Sequence, residues 1–188
     1  MNRFFLLLGL LMLGCSGGSP ASPDVQEEDS DDYGAAPSFQ LTDQSGAPRT
    51  GADFLGKVWV ANFIFTSCPD VCPALTAKMA ALQLQFPSVT YVSFSVDPGT
   101  DTPPVLLAYA ERFHAQPGWY FLTGPVDDVR RVVVDGFKQA MQSMAVNPGE
   151  PQAIIHGDRF VVIDRLGRMR GFPESQSPEI GELITRLQ

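Results

Sequence analysis

Lys57-Val58-Trp59-Val60-Ala61-Asn62-Phe63-Ile64-Phe65 runs directly into Thr66-Ser67-Cys68-Pro69-Asp70-Val71-Cys72-Pro73. The first nine residues are almost continuously apolar and rich in β-branched and aromatic side chains. That pattern predicts a central strand covered on both faces. The cysteine-bearing loop follows at once. Pro73 suits the first turn of a helix, where its missing N–H is not needed. Leu75, Met79, Leu82 and Phe86 then recur at helical spacing, so residues 73–86 are predicted helical.

Outward from this unit, strands and helices alternate. Phe39-Gln40-Leu41 with Asp43-Gln44-Ser45-Gly46 predicts a short strand and turn. Val89–Val96 (VTYVSFSV) is a second strongly β run. Pro103–Phe113 is predicted helical, with Leu106, Tyr109, Ala110 and Phe113 on one side. Tyr120-Phe121-Leu122 predicts a short strand, and Val126, Val129, Val133 and Phe137 mark a third helix. Phe160–Asp164 and Met169–Phe172 flank Arg165-Leu166-Gly167 as a hairpin. Ile180, Leu183, Ile184 and Leu187 give a closing amphipathic helix. The order predicts an α/β fold: a mixed central sheet flanked by helices, with an extra N-terminal strand and turn and a C-terminal hairpin plus helix. A reactive loop between a buried strand and a helix N-terminus is the thioredoxin-like arrangement.

Composition agrees with one such domain. The 188 residues are 44% apolar and 18% charged, enough apolar mass for a core. Collagen-like, wholly disordered and multi-span membrane classes are excluded. The net charge of −8 argues against nucleic acid as partner. Cys15 to Pro48 carries seven acidic residues and no basic one, so the acidic excess belongs to the N-terminal segment and the folded part is nearly neutral.

That segment begins as a targeting signal. Arg3 supplies a positive start, and Phe4–Leu13 is an unbroken run of apolar residues and glycine. At about 1.5 Å per residue the run reaches about half of a bilayer core, too short to span it. Met12-Leu13-Gly14-Cys15 resembles the lipobox of bacterial lipoproteins. The resemblance implies residues 1–14 as a signal peptide, Cys15 as the lipidated mature N-terminus, and an exported protein tethered to a membrane, facing the periplasm or extracytoplasmic side. Residues 15–37, rich in Ser, Gly, Pro, Asp and Glu, are read as a flexible acidic tether, and residues 38–188 as the folded domain.

With Cys15 set aside, the domain keeps one cysteine pair, Cys68 and Cys72. A structural disulfide is disfavoured, because its loop is tiny and a domain of this size needs no staple. A redox couple and a metal site remain open. A helix N-terminus stabilises thiolates, and the thiolate is both the nucleophile in disulfide exchange and the metal ligand. Of the two histidines, His114 ends a predicted helix and is most simply solvated. His156, just before the Phe160 strand, is the better placed third donor. Two thiolates and one imidazole form a soft set that suits Cu(I) and also holds Cu(II), whereas zinc normally takes a fourth ligand.

Phe65–Pro73 resembles the signature of the Sco/SenC family of thioredoxin-like copper proteins. Ser95-Val96-Asp97-Pro98 with Asp101-Thr102-Pro103, Trp119–Gly124, and His156 ahead of Phe160–Asp164 resemble further blocks of that family. Ile155 and Gly157 stand where the family often has Asp and Ser or Thr beside its histidine. The resemblance implies copper ligation by Cys68, Cys72 and His156. It also implies a role in maturing the binuclear copper centre of cytochrome c oxidase, with the copper-bearing subunit or another exported cysteine protein as partner. The two cysteines would be ligands when reduced and a disulfide when oxidised. The alternative is an exported thiol–disulfide oxidoreductase, with one cysteine attacking and the other resolving; a peroxide-reducing relative is weaker, for want of a clear activation set. Asp70 is a candidate for tuning the sulfurs and docking. Asp97 is read as bracing a loop, and Met141 and Met144 as core or loop filler rather than auxiliary ligands.

Overall fold

The computed structural model describes Met1 and residues 31–69, 71–138 and 158–188. An antiparallel hairpin of β1 (Gln40–Thr42) and β2 (Pro48–Thr50) comes first, closed by a turn in which Asp43 accepts the Ser45 and Ala47 amides. A 3-10 turn over Gly51–Phe54 leads to β3 (Trp59–Ile64) and α1 (Val71–Gln85). Then come β4 (Thr90–Ser95), α2 (Pro103–Arg112), β5 (Trp119–Leu122) and α3 (Val126–Arg130), which continues into a π-helical turn over Arg131–Gly136. The C-terminal hairpin of β6 (Val161–Ile163) and β7 (Met169–Gly171) precedes α4 (Glu179–Leu187).

Five strands make one mixed sheet in the order β5-β4-β3-β6-β7. β3, β4 and β5 run parallel; β6 runs antiparallel to β3, and β7 to β6. The continuous apolar run of β3 has its explanation in this position, since both of its faces are covered. On one face Trp59 and Phe63 meet Phe54, Phe94 and Phe137 with ring centroids 5.4–6.2 Å apart. Such edge and offset contacts add to the area each ring removes from water. On the opposite face Tyr91, paired with Val60 across the sheet, sends its hydroxyl to the carbonyls of Leu82 and Phe86 at the end of α1. α2 lies on that side as well, through Tyr109 against Phe121. A β-carbon at Gly171 would come 2.7 Å from Leu183 Cδ2, so the missing side chain lets α4 close on β7.

The strand and helix order matches the expectation for a thioredoxin-like domain. Two local features differ. β2 (Pro-Arg-Thr) has no apolar signature and forms by pairing with β1. The third helix does not stay α-helical to Phe137: its amide bonds back five residues to the Val132 carbonyl at 2.9 Å, and the π turn brings the ring to the aromatic layer. Among the described residues, no helix is long and apolar enough to cross a membrane.

Candidate functional site

The C-terminal end of β3 delivers the chain to the two cysteines. Cys68 closes a turn on the Phe65 carbonyl (3.2 Å), and α1 starts at Val71, so Cys72 is its second residue. The amide of Cys72 is one of the first-turn N–H groups that a helix leaves without an internal partner. Here it donates to the Cys68 sulfur at 3.4 Å. Cys68 therefore takes the position of a capping side chain, with sulfur as acceptor. Both cysteines are unbridged and buried, 5% and 3% exposed.

The expectation that the helix end activates the sulfurs needs a correction at Cys72. Burial pushes its thiol up to about 12, and the nearby Cys68 and Asp101 add to the rise. Desolvation of the charged form outweighs the Phe65 backbone hydrogen bond that favours it. A proton, or a cation in its place, is thus the natural companion of the Cys72 sulfur at neutral pH. Below it, the Thr76 hydroxyl donates to the Cys72 carbonyl (2.7 Å), which leaves its lone pairs for the Tyr109 hydroxyl 3.0 Å away. Tyr109 is itself buried, and burial raises its phenol to about 12, with both cysteines adding. α1 and α2 are joined by this short polar chain directly beneath the dithiol.

A carboxylate whose burial the sequence did not disclose completes the surroundings. Asp101 is fully buried. It accepts the Thr66 amide at 3.2 Å, the Thr66 hydroxyl, and the Ser95 hydroxyl at 2.6 Å. Burial raises its carboxyl above the ordinary range despite these bonds, and Asp97 pushes the same way. Asp97 braces the loop as expected, but through its backbone: its carbonyl receives the amides of Thr100 and Asp101. In the sequence, Asp101 stands out only as part of Asp101-Thr102-Pro103, ahead of a helix with proline in its first turn.

Of the other candidates, His114 is exposed, with a left-handed backbone (φ 55°) just past α2, away from any ligand set. Cys15, Asp70, Met141, Met144 and His156 lie outside the described residues. Among the described residues, no group of three or more His, Cys, Asp or Glu side chains is arranged to hold a metal ion. The described part of the site is thus a two-sulfur donor set. Its chemistry fits a soft monovalent cation, because thiolates are soft ligands.

Comparison with known proteins places this geometry. The family model described as SCO1/SenC matches residues 27–188. The crystal structure of a SCO1/SenC family lipoprotein from Bacillus anthracis is 35% identical; the superposition covers 81% of this chain and 94% of that one, with a TM-score of 0.72. BsSco, a member of the Sco family of cytochrome c oxidase assembly proteins in which a disulfide switch has been identified, is 28% identical over 83% of this chain and 92% of its own (TM-score 0.70). Bradyrhizobium japonicum ScoI, solved with copper bound, is 25% identical over 82% of this chain and all of its own (TM-score 0.69).

Proposed function

We propose, from the premise that this chain belongs to the SCO1/SenC family, that it is a copper-binding protein taking part in cytochrome c oxidase assembly. Cys68 and Cys72 supply two sulfur ligands and His156 the third. The observation that carries this is the unbridged, buried pair at the start of α1, with the Cys72 amide on the Cys68 sulfur. Relatives that bind copper or assemble the oxidase support it. Copper is cargo here: the protein holds it in a soft, shielded site and releases it to a subunit whose own thiolates compete for it.

The same pair is proposed to pass between dithiol and disulfide. Four residues apart on a helix start, the sulfurs can share an ion or bond to each other. That supports reduction of target cysteines as a second face of the same role rather than a separate enzyme. Cys15 is proposed as the lipid-bearing residue, residues 1–14 as its signal and the segment from 15 as the tether, facing outside the cytoplasm. The expected tether boundary at 37 is corrected, because residues 33–36 are held on the domain, the Tyr33 and Ala36 amides donating to the Met169 and Gly167 carbonyls. Several acyl chains anchor stably where one is marginal, and tethering raises the local concentration of the site near a membrane-bound oxidase.

Anaerobic titration of the reduced chain with Cu(I), read by thiolate-to-copper absorption, tests the assignment. One copper per chain is expected, lost in Cys68→Ser and in Cys72→Ser, and weakened at least tenfold in His156→Ala. Copper affinity that stays at the wild-type level in His156→Ala refutes the third ligand.

A further inference from the structure

Asp101 is a buried titratable group near the dithiol that copper ligation does not employ. No cation is paired with it among the described residues, and it lies at zero exposure on neutral donors alone. A carboxylate buried this way is costly, so its place calls for a reason. Its bonds supply one. Thr66 stands two residues before Cys68, and both its amide and its hydroxyl end on the Asp101 carboxylate. The same carboxylate takes the Ser95 hydroxyl at the end of β4, and the Asp101 amide is tied to the Asp97 carbonyl at 2.9 Å. Asp101 therefore clasps the chain leaving β3 to the β4–α2 connection. The remaining fastening of Cys68 is local: its own amide on Phe65 and its sulfur under the Cys72 amide.

We propose that Asp101 is the positioning residue of the dithiol: by clasping Thr66 it holds Cys68 where its sulfur receives the Cys72 amide, and so favours the open dithiol over the disulfide. This inference rests on Cys68 and Cys72 passing between those two states. In exchange with a partner disulfide, the Cys68 sulfur, its proton lost to solvent, attacks one partner sulfur and the partner S–S bond breaks. The leaving partner sulfur takes up a proton. The Cys72 sulfur, its proton lost to solvent, then attacks Cys68. The mixed disulfide breaks and the second partner sulfur is protonated. Two electrons and two protons have moved from the pair to the partner. Closure draws the sulfurs to about 2.05 Å, and in this proposal Cys68 shifts against the clasp to reach that distance. Releasing the clasp removes a bond network that belongs to the open state.

The full chain is equilibrated in graded mixtures of reduced and oxidised dithiothreitol, and the Cys68–Cys72 state is read by thiol labelling and mass. Asp101→Ala is expected to move the equilibrium about tenfold toward disulfide, about 30 mV for this two-electron couple. Asp101→Asn keeps an oxygen for Thr66 and offers its amide to the Ser95 hydroxyl, so it is expected to stay within about threefold of wild type. Thr66→Val removes one donor and leaves the carboxylate in place; it is expected to move the equilibrium in the same direction as Asp101→Ala, and it carries the test should that variant not fold. Wild-type equilibria in Asp101→Ala or Thr66→Val overturn the inference. So does an Asp101→Asn shift as large as that of Asp101→Ala, which would assign the effect to charge. A wild-type chain that never closes the bond under oxidising conditions overturns the two-state pair itself, a result distinct from a cycling wild type with unmoved variants.

Discussion

The Cys72 amide reaches the Cys68 sulfur across 3.4 Å, so the second residue of α1 and the residue whose sulfur caps that amide are the two halves of one site. The two sulfurs are nonetheless unequal. Cys68 receives a helix N–H, while Cys72 sits deeper, with its carbonyl held by Thr76.

The Cys72 thiol, raised from 9.0 to about 12, makes stability depend on alkaline pH. The neutral thiol is the form the fold favours. Below pH 9 both folded and unfolded chains keep the proton and the contribution is fully present. Between 9 and 12 the unfolded chain releases the proton and the folded chain does not, so stability falls as pH rises. Urea midpoints measured from pH 8 to 11 should decline, and Cys72→Ala should decline less steeply. Part of the slope should persist in that variant, because burial also raises Tyr91 and Tyr109. Equal slopes in the two proteins would contradict the raised thiol.

Asp101 gives a pair of variants with opposite outcomes. Its folded-state carboxyl is raised above the ordinary value, so it contributes stability that is present below about pH 4 and lost as pH rises through the folded value. Above that value the buried charge is a burden, and Asp101→Asn removes it. The melting temperature of that variant should match or exceed wild type. Asp101→Ala instead leaves the Thr66 amide and two hydroxyls without their acceptor, at a cost of about 1–3 kcal/mol. In a domain of this size that lowers the melting temperature by several degrees. Melting curves at pH 7 that place Asp101→Asn below Asp101→Ala would reverse the explanation.

The difference between Asp101 and the cysteines also marks what the sequence makes legible. The apolar run of β3, the Cys-Pro punctuation and the 3–4 spacing of α1 are local signals, and they locate the strand, loop and helix. The cysteine pair is visible for the same reason, since its chemistry is written in two letters four positions apart. Asp101 has no such signal. One acid in a polar loop looks solvated until the end of β4 and Thr66 close around it. The π turn is hidden as well: Val126, Val129, Val133 and Phe137 keep a helical rhythm that absorbs one extra residue unnoticed. β2 is legible only through its partner β1, because pairing rather than propensity makes it a strand.

Phe94 tests the aromatic layer that holds β3 and β4 under the site. Its ring is fully buried, with centroids 5.3–5.9 Å from Phe39, Phe63 and Phe137. Truncation removes its transfer energy and leaves a cavity between strands and π turn. Phe94→Ala should cost about 3–5 kcal/mol in a urea titration. Phe94→Leu, which refills most of the volume, should cost well under half of that. A loss below 1 kcal/mol for the alanine variant would mean the layer collapses to fill the gap.

Copper should stabilise the reduced protein and leave the oxidised protein unmoved. A ligand that binds only the folded chain adds RT ln(1 + [L]/Kd), about 2.7 kcal/mol at a hundredfold excess over Kd. The sulfurs must be free to ligate, as they are in the unbridged pair. A Cys68–Cys72 disulfide withdraws both donors at once. Thermal melts with Cu(I) under anaerobic conditions should therefore rise by several degrees for the reduced wild type and by nothing for the oxidised form. Cys68→Ser and Cys72→Ser should lose most of the rise, because a single thiolate remains. His156→Ala should keep a reduced part of it, because two sulfurs still bind the ion. Equal stabilisation of reduced and oxidised protein would show that copper is held somewhere other than on these two sulfurs.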